Sequence, residues 1–345
     1  MTALPDIKSL TPARLSALGV ERGWPRYRAA QLFDWLWRRS ARSFDEMTNL
    51  SKACRAELAR EFSLGFLEPE TTLRDRDGTV KARFRLDDGE TIESVFIPDA
   101  DRRTICVSTQ AGCPLGCRFC YTGRHGFVRN LGWHEIAGQV QAMQQALQTR
   151  ATNVVFMGMG EPFLNPDAVY DAIRTLNTDS GLGIGARHIT VSTVGIPGAI
   201  RAFAAFPLQC RLAISLNAAD DETRSAVMPV NQRFPLAEVL AAVREYIRTT
   251  RRRVTFEYVM LQGINDRQAD LHNLARLLKG VPCKLNLIPF NPFPGAEFRP
   301  PSPAAVRRFA ETLFPLLPAV TVRKSKGSTI LAGCGQLAAA STHSP

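Results

Sequence analysis

Six short apolar segments, most of them separated by stretches with helical spacing, constrain this chain more than any other feature. They are TICVST at 104–109, NVVFM at 153–157, HITVST at 188–193, RLAISL at 211–216, VTFEYVML at 254–261 and CKLNLIPF at 283–290. Each reads as a strand buried on both faces. Helical stretches such as HEIAGQVQAMQQAL and LAEVLAAVREYIR lie between them. Strands alternating with helices imply an α/β fold with a parallel sheet and right-handed crossovers. Six such units fit a partial (β/α)6 barrel better than the eight-unit form, and functional groups then belong at the C-terminal ends of the strands.

The chain divides into four parts. Residues 1–69 read as a helical module. RYRAAQLFDWLWRRS sets Leu32, Trp35 and Leu36 on one face, with Arg26, Arg28, Arg38, Arg39 and Arg42 around it. A turn and a second helix follow in SFDEMTNLSKACRAEL, with Asn49 or Ser51 as the N-cap. Residues 70–101 alternate polar and apolar residues around turns at Asp77-Gly78 and Asp88-Gly89, an antiparallel β element linking the module to the barrel. The barrel occupies 102–337 and a frayed tail 338–345. No apolar run reaches membrane-spanning length, and MTALPDIKSL lacks the pattern of a secretory leader, so a cytoplasmic protein is expected. A net charge of +11 suits a polyanionic partner, of which nucleic acid is the commonest. The basic rim of the module, the run Arg251-Arg252-Arg253, and Arg323, Lys324 and Lys326 are candidates for phosphate contacts; each is also explained as a solvated charge.

Eight cysteines in a large chain of this kind point to metal binding or catalysis ahead of a disulfide framework. Cys113, Cys117 and Cys120 are spaced C-x-x-x-C-x-x-C in GCPLGCRFCYTG, after the first barrel strand. Three thiolates on one loop can hold three irons of a [4Fe–4S] cube and leave the fourth open to a ligand. Structural zinc would need four ligands, usually in two separated pairs, and no second pair with that spacing follows. Phe119 can shield such a cluster from water. The GMGEP loop at 158–162 ends strand two; its glycines, Gly160 among them, permit close backbone approach, and the Glu161 carboxylate can receive an ammonium group. Ser192 ends strand three, the Ser215-Leu216-Asn217 turn ends strand four, and Asn291 follows strand six. Each alone is an ordinary cap or turn residue; all stand where a ligand of such a barrel would sit. Cys106 lies on strand one, and Cys334 stands between two glycines in ILAGCGQL. A buried strand cysteine is usually inert core, whereas a cysteine flanked by glycines in a late polar segment is harder to explain by packing.

The triad and the GMGEP loop resemble the radical S-adenosylmethionine superfamily. That resemblance implies that the open iron chelates S-adenosylmethionine and that one electron from the cluster cleaves it to a 5′-deoxyadenosyl radical. SFDEMTNLSKA, ICVSTQAGCPLGCRFC, GFVRNL, GMGEPFLN, LAISLNA, EYVMLQGIND, LNLIPFNPFPG, VRKSKG and CGQL together make the chain similar to the RlmN/Cfr family of RNA adenine methyltransferases, over about residues 20–337. It departs from many members at Asn217, where His is frequent, and at Tyr121-Thr122-Gly123. The resemblance implies that Cys334 is methylated by one S-adenosylmethionine and that a second supplies the radical that activates this methyl group for addition to adenine. It implies further that Cys106 resolves the protein–RNA adduct through a transient disulfide with Cys334, and that Glu93 is the proton acceptor. The expected partners are 23S rRNA, tRNA and an electron donor such as flavodoxin or ferredoxin, with a monomeric enzyme and a flipped or loop adenine. SFDEMTNLSKA and EYVMLQGIND resemble the carbon-2 (RlmN) type. A carbon-8 (Cfr) enzyme and an iron–sulfur RNA-binding or redox protein without methyl transfer are the alternatives.

Overall fold

The computed structural model of the protein describes residues 4–338. Its first strands are β1 (Pro69–Arg74), β2 (Val80–Arg85), β3 (Thr91–Asp99) and β4 (Arg102–Cys106). A short pair follows, β5 (Gln110–Gly112) and β6 (Phe127–Asn130). Then come β7 (Asn153–Phe156), β8 (Ile189–Thr193), β9 (Arg211–Ser215), β10 (Val254–Met260), β11 (Cys283–Pro289) and β12 (Val320–Val322). From β4 onward the main sheet is parallel, in the order β4-β7-β8-β9-β10-β11-β12. All six expected strands are present.

Two features differ from expectation. The antiparallel hairpins do not form a separate linker: β3 pairs with β4, Val95 opposite Cys106, so that β1–β3 extend the barrel sheet to ten strands. The five residues Ile92–Phe96 of β3 are all buried, because helix α5 (Trp133–Ala146) covers the second face of the strand. The hairpin turns do fall at Asp77-Gly78 and Asp88-Gly89, with both glycines at positive φ. The second difference is β12, a seventh parallel strand of three residues, too short to show a periodicity. The sheet stays open, with β1 and β12 as its edges.

The N-terminal helices are α1 (Pro12–Glu21), α2 (Tyr27–Trp37) and α3 (Lys52–Glu61). Thr11 and Ser51 cap α1 and α3, each accepting a hydrogen bond from a first-turn amide. Asn49, the other candidate cap, instead accepts from the Trp35 indole. The buried face of α2 is Ala29, Leu32, Phe33, Leu36 and Trp37. Trp35 is only partly buried, and Trp37 takes the core position, 5.3 Å between ring centroids from Trp133 of α5. That contact ties the module to the barrel.

Around the sheet lie α4 (Tyr121–Arg124), α5, α6 (Pro166–Asn177), α7 (Pro197–Ala204), α8 (Asp221–Val227), α9 (Leu236–Thr250), α10 (Gln268–Leu278) and α11 (Pro303–Leu313). Their inner faces follow helical spacing, as with Val239, Leu240, Val243 and Tyr246 of α9, all buried. No helix among the described residues is long and apolar enough to cross a membrane. The frayed tail expected at 338–345 lies outside the described residues except for Ala338, which is hydrogen-bonded.

Candidate active site

A cavity lies at the C-terminal ends of the parallel strands. One wall is the loop between β5 and α4, which carries Cys113, Cys117 and Cys120. The β5–β6 pair staples this loop at its base: the Cys113 amide donates to the Gly126 carbonyl at 2.7 Å. Gly112 is required there, because it sits at φ +77° and a Cβ would meet that same carbonyl oxygen at 2.0 Å. Burial pushes the Cys113 thiol up to about 12 and the Cys117 thiol well above its ordinary value, and the neighbouring thiols add to the effect in both. Thiolates disfavoured by burial in this way would be stabilised by a bound cation, which iron supplies. Among the described residues no three such side chains converge on a single ion. The thiols instead share one wall of a cavity, an arrangement suited to a cube whose irons stand at separate corners.

The GMGEP loop lines the cavity beside it, but its glycines meet protein. A Cβ on Gly158 would lie 2.7 Å from the Val107 carbonyl oxygen, and one on Gly160 (φ +96°) 2.5 Å from Gln110 Cβ. They let the loop after β7 close on the segment after β4. The Glu161 carboxylate, expected to receive an ammonium group, is buried and accepts from the amides of Phe163 (3.0 Å) and Val194 (2.9 Å). Burial pushes it up to about 7 against those bonds. Ser192, Ser215 and Asn217 line the cavity as well. Asn217 holds φ +57° and accepts from the Val259 amide at 2.9 Å. Leu216 does not line it: its side chain is in the core, while its backbone joins Glu257 and Arg224.

Cys334 lines the same cavity. The segment that bears it is docked on the cysteine loop: the Tyr121 amide donates to the Gly335 carbonyl at 2.7 Å and the Thr122 hydroxyl to the Leu337 carbonyl at 2.6 Å. Asn291 lies outside the main cavity wall and holds the Cys334 carbonyl at 3.1 Å. The thiol is pushed up by burial and by the charges of Glu257 and Cys120, and drawn down by Arg323. Cys106, at the end of β4, is pushed up to about 12 by burial and then by Cys334. Cys334 therefore stands within electrostatic reach of both Cys120 and Cys106. All eight cysteines are free thiols, so the bond between Cys106 and Cys334 implied by the family resemblance is not a feature of this state. Glu93 on β3 is buried beside Lys81, and its carboxylate accepts from the Ala338 amide at 3.0 Å.

Three residues around the cavity were not expected there from the sequence. Glu257 of β10 lines the cavity, and Asn286 donates to it at 3.0 Å. Arg323, expected at an RNA surface, is turned inward, where its guanidinium faces Cys334, Glu257 and Cys106. Arg224 of α8 is fully buried; it donates to the carbonyls of Leu216 (3.0 Å) and Val194 (2.5 Å) and to the Asn231 side chain (2.8 Å), tying together the loops after β8 and β9.

An open parallel barrel with a three-cysteine loop at its C-terminal mouth is the structure of a radical S-adenosylmethionine enzyme, and residues 107–275 match the Radical SAM superfamily. Residues 6–64 match the ribosomal RNA large subunit methyltransferase N-terminal domain. The chain is 46% identical to the dual-specificity RNA methyltransferase RlmN of Anaeromyxobacter dehalogenans, over 97% of this chain and 92% of that one. It is 49% identical to the probable dual-specificity RNA methyltransferase RlmN of Gemmatimonas aurantiaca, over 98% and 94% of the two chains. A crystal structure of a radical SAM methyltransferase from Sphaerobacter thermophilus superposes with a TM-score of 0.92 at 45% identity, covering 96% of this chain and 99% of that one. The chain belongs to the RlmN family of radical SAM RNA methyltransferases. Its cofactors are accordingly a [4Fe–4S] cluster and S-adenosylmethionine.

Proposed function

We propose that this protein methylates carbon 2 of an adenine in 23S rRNA and in tRNA, with Cys334 as the methyl carrier. The observation that carries this reading is the placement of Cys334 at the cavity wall, within electrostatic reach of both the cysteine loop and Cys106. When bound, the cluster and S-adenosylmethionine supply the methyl group and the one-electron chemistry that makes it reactive. Cys113, Cys117 and Cys120 hold the cluster. The GMGEP backbone at Gly160 and Glu161, with Ser192, Ser215 and Asn217, shapes the nucleoside and methionine site; the Leu216 backbone and Asn291 brace it from behind, through Arg224 and the Cys334 carbonyl. Glu93 takes the proton lost by the adenine. Cys106, as its thiolate, attacks the sulfur of Cys334; the S–CH2 bond breaks with its electron pair going to the adenine-bound carbon, which takes up a proton to become the methyl group, and the Cys106–Cys334 disulfide left behind is reduced by an external thiol before the next turnover.

Residues 1–69 serve as the RNA-binding module and 102–337 as the catalytic barrel, with 70–101 as its extension. The enzyme acts as a cytoplasmic monomer, reduced by a flavodoxin or ferredoxin. The deciding measurement is the position of the methyl group in adenosine from digested ribosomal and transfer RNA, with and without the protein. We expect 2-methyladenosine in both; 8-methyladenosine alone would overturn the carbon-2 assignment. The Cys106→Ala variant should purify with RNA covalently attached to Cys334, visible by intact mass, and RNA-free protein would refute the role given to Cys106.

A further inference from the structure

Glu93 is held on both carboxylate oxygens. Lys81 Nζ lies 3.1 Å from Oε1, and the Ala338 amide donates to Oε2 at 3.0 Å. The same Lys81 ammonium donates to the carbonyl of Leu331 at 3.3 Å. The carboxylate and its cation thus grip the segment that carries Cys334 on both sides of that residue. In the β2–β3 register the residue directly opposite Glu93 is Arg83, yet Arg83 pairs with Glu70 at 3.0 Å. The buried carboxylate is taken diagonally by Lys81, whose side chain is 10% exposed against 7% for Glu93. A buried pair is a poor way to stabilise a sheet, because desolvation of both ions offsets their attraction. Its use here points to a requirement for the anion itself.

We infer that Lys81 is a positioning residue for proton transfer to Glu93: its ammonium, fixed by the Leu331 carbonyl, holds the Glu93 carboxylate in place and in its anionic form. The inference rests on the proposed role of Glu93 as proton acceptor. The charged groups that face Glu93 are Lys81 and Arg83, both cations. Burial pushes its carboxyl up, and Lys81 is the largest influence in the opposite direction. Without Lys81 the carboxyl stays protonated to higher pH, and a protonated acid cannot accept a proton.

The test uses holoenzyme, RNA substrate and the variants Lys81→Met, Lys81→Arg and Glu93→Gln. Two steps are followed separately: methylation of Cys334 by intact mass, and resolution of the RNA–protein adduct in a single turnover from neutral to alkaline pH. Lys81→Met should methylate Cys334 normally, accumulate adduct, and resolve it about tenfold or more slowly at neutral pH, with its pH profile displaced upward by about one unit or more. Lys81→Arg should restore most of the rate. A Lys81→Met profile that overlays the wild type, or a parallel loss in both steps, would reduce Lys81 to a structural ion pair. If Lys81→Met does not fold, Lys81→Gln is judged by the same two readouts. Resolution at the wild-type rate in Glu93→Gln would instead show that the reading of Glu93 itself fails.

Discussion

Gly335 sits at φ +80°, and a Cβ there would stand 3.1 Å from the Phe119 carbonyl oxygen on the cysteine loop. Adding one methyl group must therefore strain the backbone or push the Cys334 segment off that loop. Gly335→Ala should retain its iron content while its Cys334 methylation falls by about tenfold, the effect of roughly 1.4 kcal/mol in positioning; iron analysis and intact mass check this. The glycines beside Cys334 were legible in the sequence as a sign of close approach. Their partner was not, because only the fold brings residue 335 to residue 119. The same holds for Gly158 and Gly160, which meet the segment after β4. The cysteine triad was legible because its ligands are local. Glu257 and Arg323 were not, since an isolated acid on one strand and an arginine beyond another acquire meaning only when the strands place them beside Cys334.

At the scale of elements, the N-terminal module is joined to the barrel through a buried lysine. Lys8 Nζ donates to Gln141 of α5 at 2.5 Å and lies over the Trp37 and Phe66 rings, 5.2 and 4.7 Å from their centroids. Burial pushes Lys8 down from 10.5 to about 8. Between those values the unfolded chain binds the proton more strongly than the folded one, so stability rises with pH across this window. Below about pH 8 both states are charged and the full penalty stands, roughly 3 kcal/mol as an upper bound. Lys8→Met should raise the Tm at neutral pH, and this gain over the wild type should shrink as the pH rises from about 8 to above 10, as read by thermal unfolding of the two proteins side by side. Helical spacing located α2 but assigned Trp35 to its face in place of Trp37, because the pattern WLW is compatible with either rotation. Only Trp133 of α5 decides between them. Likewise the alternation in 70–101 identified β1–β3, while their pairing with β4 is a long-range contact that no local pattern encodes.

For the whole molecule, a formal charge of +11 overstates what is free to meet RNA. Arg38 and Arg39 of the expected basic rim both pair with Asp34, and Arg42 pairs with Glu68. Arg252 is bound to the carbonyls of Leu208 and Cys210. Arg26, Arg28, Arg251 and Arg253 have no ion pair among the described residues. Affinity for RNA should fall with a log–log salt slope of about −0.7 for each single-strand phosphate neutralised. Replacing Arg38 or Arg39 by Ala should change that slope less than replacing Arg26 or Arg28, as measured by titration at several salt concentrations.

The open edge of the sheet has one more consequence. The segment after β12 reaches across to the opposite edge: the Gly327 amide donates to Asp77 at 3.0 Å, and Thr329 donates to Asp75 through its amide (3.0 Å) and hydroxyl (2.7 Å). Both aspartates lie in the turn between β1 and β2. The clasp of this bracelet and the bearer of Cys334 are thus one stretch of chain. A motion that unfastens this seam pulls on the segment that Tyr121 and Thr122 hold against the cysteine loop, so the closure of the sheet and the seating of Cys334 are mechanically linked.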